Sequence, residues 1–212
     1  MNQRQEQRAR TRQRIIEAAA QEFARNGYAG TSFSSIAASM GKPKSSIGYE
    51  AFPSKQALAN AVVEQHLDRL EALLSRVERT MRPGLDALLI AMRAGLHLDR
   101  TSPIASGALR LMIEQSGEQR PSRVEHALDF VRRNVRAAIE DGDVPATVDA
   151  GVLARRLLTG ALGAHAANLF RLSGTPVDQS VQTSWEIVLR DAGASPERIR
   201  TLAEYPLDAI LA

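Results

Sequence analysis

Residues 31–58, TSFSSIAASMGKPKSSIGYEAFPSKQAL, decide how this chain is read. Thr31 or Ser32 stands where a hydroxyl can accept from the free N–H groups of a first helical turn. Ile36 and Met40 lie four apart with Ala37 beside them, which makes one apolar face. Gly41 stops that helix, because glycine takes the left-handed cap without steric cost. Pro43 suits the first turn of a second helix, where its missing N–H is not needed. That second helix, about 43–49, carries Lys44, Ser45, Ser46 and Tyr49 and few apolar residues. Hydrogen-bonding side chains on so short an element point to contact outside the protein, and a helix-turn-helix places such a helix in the DNA major groove. Phe52 and Pro53 mark a break, and Ser54 is placed to cap a long helix reaching about Arg79. Lys55 sits at its start, where a cation opposes the helix dipole. A nearby DNA phosphate would remove that conflict.

N-terminal to this stretch, Ile15, Ala19 and Phe23 recur at four-residue spacing with Ile16 widening the stripe, which predicts a helix over about 10–25 ended by Gly27. Residues 1–9 are polar and read as a mobile basic arm. Residues 1–55 hold nine Lys and Arg against four acids, whereas the whole chain carries only +3. The positive charge is therefore gathered where phosphate contact would need it.

C-terminal to it, Pro83-Gly84 closes the long helix, and helices are predicted over about 85–98, 104–115, 122–141, 149–172, 177–192 and 196–204. Residues 99–103 read as a loop, residues 116–121 as a polar and mobile segment, and 207–211 as an apolar tail. The run GALGAHAA, residues 160–167, is dense in small side chains that let two helices approach closely. The expected fold is all-α: an N-terminal helix-turn-helix domain over 1–55 and a larger helical domain over 56–212, to which the resemblance described next assigns regulation and dimerisation.

The matching pieces IIEAAAQEFARNGYAGTS, SSIAASMG and FPSKQAL, in that order and spacing, resemble the N-terminal DNA-binding region of TetR-family transcriptional regulators. The resemblance covers about residues 10–60. From Gly41 to Phe52 the chain runs one residue longer than is common in that family, with Gly48 and Tyr49 where a tyrosine usually stands. The resemblance implies DNA contact by Thr31, Ser32, Ser34, Lys42, Lys44, Ser45, Ser46, Tyr49 and Lys55. It also implies a homodimer built on the last two long helices, here through Gly160, Ala164 and Ala167 and the stripe Val181, Trp185 and Val188. A small-molecule effector would sit in the C-terminal domain, with Met92, Leu109, Met112 and Phe130 as apolar wall and Gln115 or Asn134 as polar anchor. Ligand sites commonly combine these two features. PIASGALRLMIE and SWEIVLR are further similar to the γ-butyrolactone receptor branch, which makes a signalling lactone a candidate effector. The pocket tryptophan common on the seventh helix of that branch is absent from residues 123–130.

Composition closes off other classes. There is no cysteine, which excludes disulfide and thiolate chemistry and fits a cytoplasmic protein. No apolar run approaches the ~18 residues of a membrane span. His66, His97, His126 and His165 show no metal-ligand spacing, and no catalytic or phosphate-loop motif occurs, so neither an enzyme nor a cofactor is expected. The expected function is a one-component repressor that binds a palindromic operator and is released by its ligand. Two alternatives remain at this level: a regulator tuned by a protein partner instead of a small molecule, and a helical adaptor whose basic arm binds another polyanion.

Overall fold

A computed structural model of the chain describes residues 3–43, 47, 51–115, 122–203 and 206–211. The described residues form helices α1 (Gln3–Gly30), α2 (Phe33–Ser39), α3 (Lys55–Thr80), α4 (Leu85–Thr101), α5 (Pro103–Glu114), α6 (Ser122–Glu140), α7 (Ala150–Leu169), α8 (Val177–Asp191), α9 (Pro196–Ala203) and α10 (Asp208–Leu211), with no strand among them.

Local chemistry explains most helix starts. The Ser54 hydroxyl accepts from the Ala57 amide at 3.0 Å at the head of α3. Asp149 accepts from the Val152 amide at 2.7 Å at the head of α7. In each case a side-chain oxygen satisfies one of the orphan donors of a first turn. Two expectations are corrected. The segment read as a mobile arm is helical from Gln3, in keeping with its Gln, Arg, Glu and Ala residues, all good helix formers. The segment 99–103 is not a loop: α4 runs on to Thr101, and Ser102 alone breaks the chain before capping α5 ahead of Pro103.

The chain divides into two compact units. The first runs to Asp68 and resumes at Asp99 to take in α5. Its core joins Ile15, Ile16, Ala19, Ala20 and Phe23 of α1 to Ile36 and Ala37 of α2, Leu58 and Val62 of α3, and Ile104, Ala108 and Leu111 of α5. Gly107 of α5 lies directly on the α1 backbone: a β-carbon there would fall 2.3 Å from the Ala20 carbonyl oxygen. The second unit holds Arg69–Leu98 and the helices from α6 onward. Its core gathers Leu73, Val77, Leu88, Ile90, Phe130, Val135, Leu153, Leu157 and Leu189. The long helices α3 and α4 each supply residues to both units.

Within the first unit, Asp99 is placed 3.9 Å from the buried imidazole Nε2 of His66. Burial pushes the Asp99 carboxyl up to about 7, well above the ordinary ~3.9. A raised acid favours the fold while it is protonated. That contribution is complete below pH ~4 and is lost as pH rises through about 7. Asp99→Asn stays neutral throughout. It is therefore expected to lose less melting temperature than wild type between pH ~5 and ~8. Parallel profiles for the two proteins would show that Asp99 does not titrate in this window.

Candidate nucleic-acid interface

The start of α2 is built from its own serines. Ser32 Oγ accepts from the Ser35 amide at 3.1 Å, and Ser35 Oγ accepts from the Ser32 amide at 3.0 Å. This reciprocal cap satisfies donors at both ends of the turn. Ser32 and Ser34 are exposed, as is Lys42 in the turn. Gly41 has φ +65°, the left-handed conformation that ends α2. Thr31 differs from expectation. It is buried, and its hydroxyl donates to the Gly27 carbonyl at 2.8 Å, so it shapes the entry to α2 from inside. Lys44, Ser45, Ser46, Gly48 and Tyr49 lie outside the described residues. Ile47, between them, is buried in the first core.

Lys55 is held from within the unit as well. Its Nζ donates to the Tyr28 carbonyl at 2.9 Å and the Thr31 carbonyl at 3.0 Å, and lies 4.3 Å from the centroid of the Tyr28 ring. The cation at the head of α3 is thus answered by two carbonyl oxygens. Two of the three N–H groups of its ammonium are accounted for in this way.

The sequence reading missed a pair on α5. The backbone of α1 breaks at Gly27, with φ 70° and ψ −179°. A helix break leaves carbonyls on one side and amides on the other without partners. Arg110 donates from Nη1 to the carbonyls of Ala24 and Arg25 at 3.0 Å each. Glu114 accepts from the Tyr28 amide at 2.7 Å. Arg110 Nε and Glu114 Oε1 pair with each other at 2.8 Å. Burial would raise the Glu114 carboxyl, but the Tyr28 amide and the Arg110 guanidinium outweigh it and hold it below the ordinary carboxylate range. A β-carbon at position 27 would meet the tips of both side chains, and the φ of +70° strains any residue but glycine. The i,i+4 spacing of Arg110 and Glu114 was the visible signal; their target 86 residues away was not.

The remaining expected sites fall as follows. Leu109, Met112 and Gln115 lie in the first unit, and Met92, Phe130 and Asn134 in the second. Phe130 is core. The Asn134 amide is taken up structurally: it accepts from the Gly84 amide at 3.1 Å and donates to the Phe130 carbonyl at 2.9 Å. A small cleft in the second unit is lined instead by Leu89, Arg93, Gln182, Trp185, Glu186 and Ile199. The close approach that the small residues of α7 permit is made within the chain. A β-carbon at Gly160 would meet Ser184 Oγ of α8 at 2.3 Å. Ala164 and Val181 are buried, Trp185 and Val188 pack against the second core, and the Trp185 indole donates to the Leu157 carbonyl at 3.2 Å. Ala167 is half-buried. The outward face of α7 carries Val152, Leu162 and Phe170, and α8 presents Ile187.

A basic N-terminal unit with a capped short helix, a glycine turn and a following long helix agrees with the class of helix-turn-helix regulators, whose second helix would fall on residues outside those described. Residues 15–62 match the bacterial regulatory proteins of the tetR family. That N-terminal segment carries the TetR-family DNA-binding domain. The whole fold is similar to solved members. A γ-butyrolactone receptor described as ArpA-like shares 25% identity, with 93% of this chain and 96% of that one covered at a TM-score of 0.77. CprB from S. coelicolor A3(2) shares 25%, with the same coverage and a TM-score of 0.78. CprB from Streptomyces coelicolor solved with its biological operator sequence shares 27%, with 92% and 96% covered at 0.69. Among curated proteins the sequence finds no significant match. Family and fold are those of transcriptional regulators, and among the described residues no helix is long and apolar enough to cross a membrane.

Proposed function

We propose that the protein is a cytoplasmic, homodimeric one-component repressor. It binds a palindromic operator through residues 1–55, which lie in the first unit, and leaves it when a small molecule occupies the C-terminal part of the chain, whose 56–68 and α5 stretches belong to the first unit rather than to one domain over 56–212. The observation that carries this reading is the capped α2 and glycine turn inside the TetR-family match, in a chain similar throughout to a regulator solved on its operator. Ser32, Ser34 and Lys42 are presented to solvent for phosphate contact, and Lys44, Ser45, Ser46 and Tyr49 supply base and phosphate contacts. Ligand and operator then compete through a coupling free energy between two sites. The likeness to γ-butyrolactone receptors makes signalling lactones the first effectors to try.

Selection of duplexes from a random pool tests the reading directly. The enriched sequence is expected to be an inverted repeat, and its retention is expected to fall when lactones are added. Lys44→Ala should lower affinity for the selected duplex by ~1–3 kcal/mol and relax preference at one base, as removal of a base-edge hydrogen bond does. An equal drop on every duplex would make Lys44 a phosphate ligand only. No enrichment at low salt would sink the operator, and retention unmoved by any small molecule would sink the effector.

A further inference from the structure

We propose that the N-terminal extension of α1 is a second DNA-contacting element, on which Arg4, Arg8 and Arg12 hold backbone phosphates flanking the half-site read by the helix-turn-helix. The proposal rests on the DNA-binding reading above and adds a site to it. Helix α1 begins at Gln3, but its first fully buried residue is Ile15. Roughly three turns therefore precede the packed part, and Arg4, Arg8, Arg10, Arg12 and Arg14 are all exposed there.

Arg4, Arg8 and Arg12 follow one another at i,i+4 and so share a face. That face continues into Ile15, Ile16 and Ala19, which pack into the first core. The core-facing side of α1 thus turns into an arginine stripe as soon as it outruns its packing partners. The stripe is anchored at its inner end: the Arg12 guanidinium lies 4.6 Å from the centroid of the Phe52 ring, a cation–π distance. Phe52 stands in the short link between the segment predicted to read bases and the Ser54 cap of α3.

Like charges stacked at i,i+4 oppose helix formation in an isolated chain. The only acid before residue 17 is Glu6, and its i+4 neighbour is Arg10, on the other side of the helix. An external polyanion lying along the stripe turns this repulsion into attraction. Four residues of helix rise about 6 Å, so the three arginines span about 12 Å. A DNA strand presents a phosphate about every 3.4 Å of its axis, which places several within reach of such long side chains.

Salt dependence of duplex binding reads the proposal. The probes are the duplex selected by the wild-type protein and an unrelated duplex of equal length. Arg4→Gln/Arg8→Gln is expected to make the slope of log affinity against log salt shallower by about 1.8 per bound chain, ~0.9 for each phosphate that is no longer neutralised. The preference for the selected over the unrelated duplex should stay as in wild type. Arg10→Gln/Arg14→Gln removes the same charge from the other side and is expected to leave the slope nearly unchanged. Circular dichroism of both variants should match wild type, since all four positions are exposed. An unchanged slope in the first variant, or an equal change in both, overturns the stripe while leaving the helix-turn-helix reading intact. A wild-type protein that retains no duplex even at low salt overturns both.

Discussion

Gly107→Ala is expected to weaken the first unit on the order of 2 kcal/mol and to lower operator affinity with it. In most helices this change would help, because alanine is favoured over glycine by ~0.8–1.0 kcal/mol. Here the new β-carbon would stand 2.3 Å from the Ala20 carbonyl oxygen, 2.8 Å from its α-carbon and 2.9 Å from its carbonyl carbon. These are backbone atoms of a helix and cannot swing aside, so α5 must lift from α1. Overpacking of this kind costs typically ~1–3 kcal/mol and occasionally more. Lifting α5 also draws Arg110 and Glu114 away from the break at Gly27, and so disturbs the entry to α2. Gly95→Ala is the matched control. Gly95 lies within α4 and a β-carbon there meets nothing within 4 Å, so the change should stabilise by ~0.5–1 kcal/mol. Thermal melting of both variants checks the pair. Equal gains would mean that α5 does not lie directly on α1.

Leu162→Asp combined with Ile187→Asp is expected to turn a dimer into a folded monomer. Leu162 is 49% exposed and Ile187 50% exposed, with Val152 of α7 at 47% and Phe170, its C-cap, at 69%. Charges at such positions stay in water in a single chain, so the melting temperature should hold. In a dimer closed through this face the same charges would be buried and unpaired, which is severely unfavourable. Affinity for the selected duplex should then drop by about 10²-fold or more, because the two heads no longer bind as a linked pair. Ala164→Glu should behave otherwise. Ala164 is already buried in the single chain, so this variant should lose stability before it loses its partner. Sedimentation separates the outcomes, and a wild-type monomer at micromolar concentration would end both the dimer and the palindromic operator.

The helical class and most helix boundaries among the described residues are legible in local signals. The reason is that caps and stops act over a few residues. Ser32 and Ser54 meet amides three positions on, Gly41 and Gly27 take conformations that only their own lack of a β-carbon makes easy, and the stripe of Ile15, Ala19 and Phe23 declares its buried face by period alone. Local signals failed where two helices follow without a glycine between them, at Asp99 to Pro103, and where good helix formers precede the apolar stripe, at Gln3 to Ala9.

What only the tertiary structure decided is which outward-looking polar group meets which inward need. Lys55 at a helix start suggested a phosphate, yet the carbonyls of Tyr28 and Thr31 lie within reach and two of its hydrogen bonds close there. Asn134 suggested a ligand anchor, yet the turn at Gly84 has an amide that Asn134 reaches at 3.1 Å. Gly160 is small enough for a close helix approach, and within this chain Ser184 of α8 lies against it. α5 joins the N-terminal unit although residues 69–98 separate the two stretches of that unit, because Gly107 leaves α5 thin enough to rest on the α1 backbone. Periodicity tells that a face is buried. Which surface buries it depends on shape and on unsatisfied backbone groups far away in the chain, and those exist only once the helices are packed.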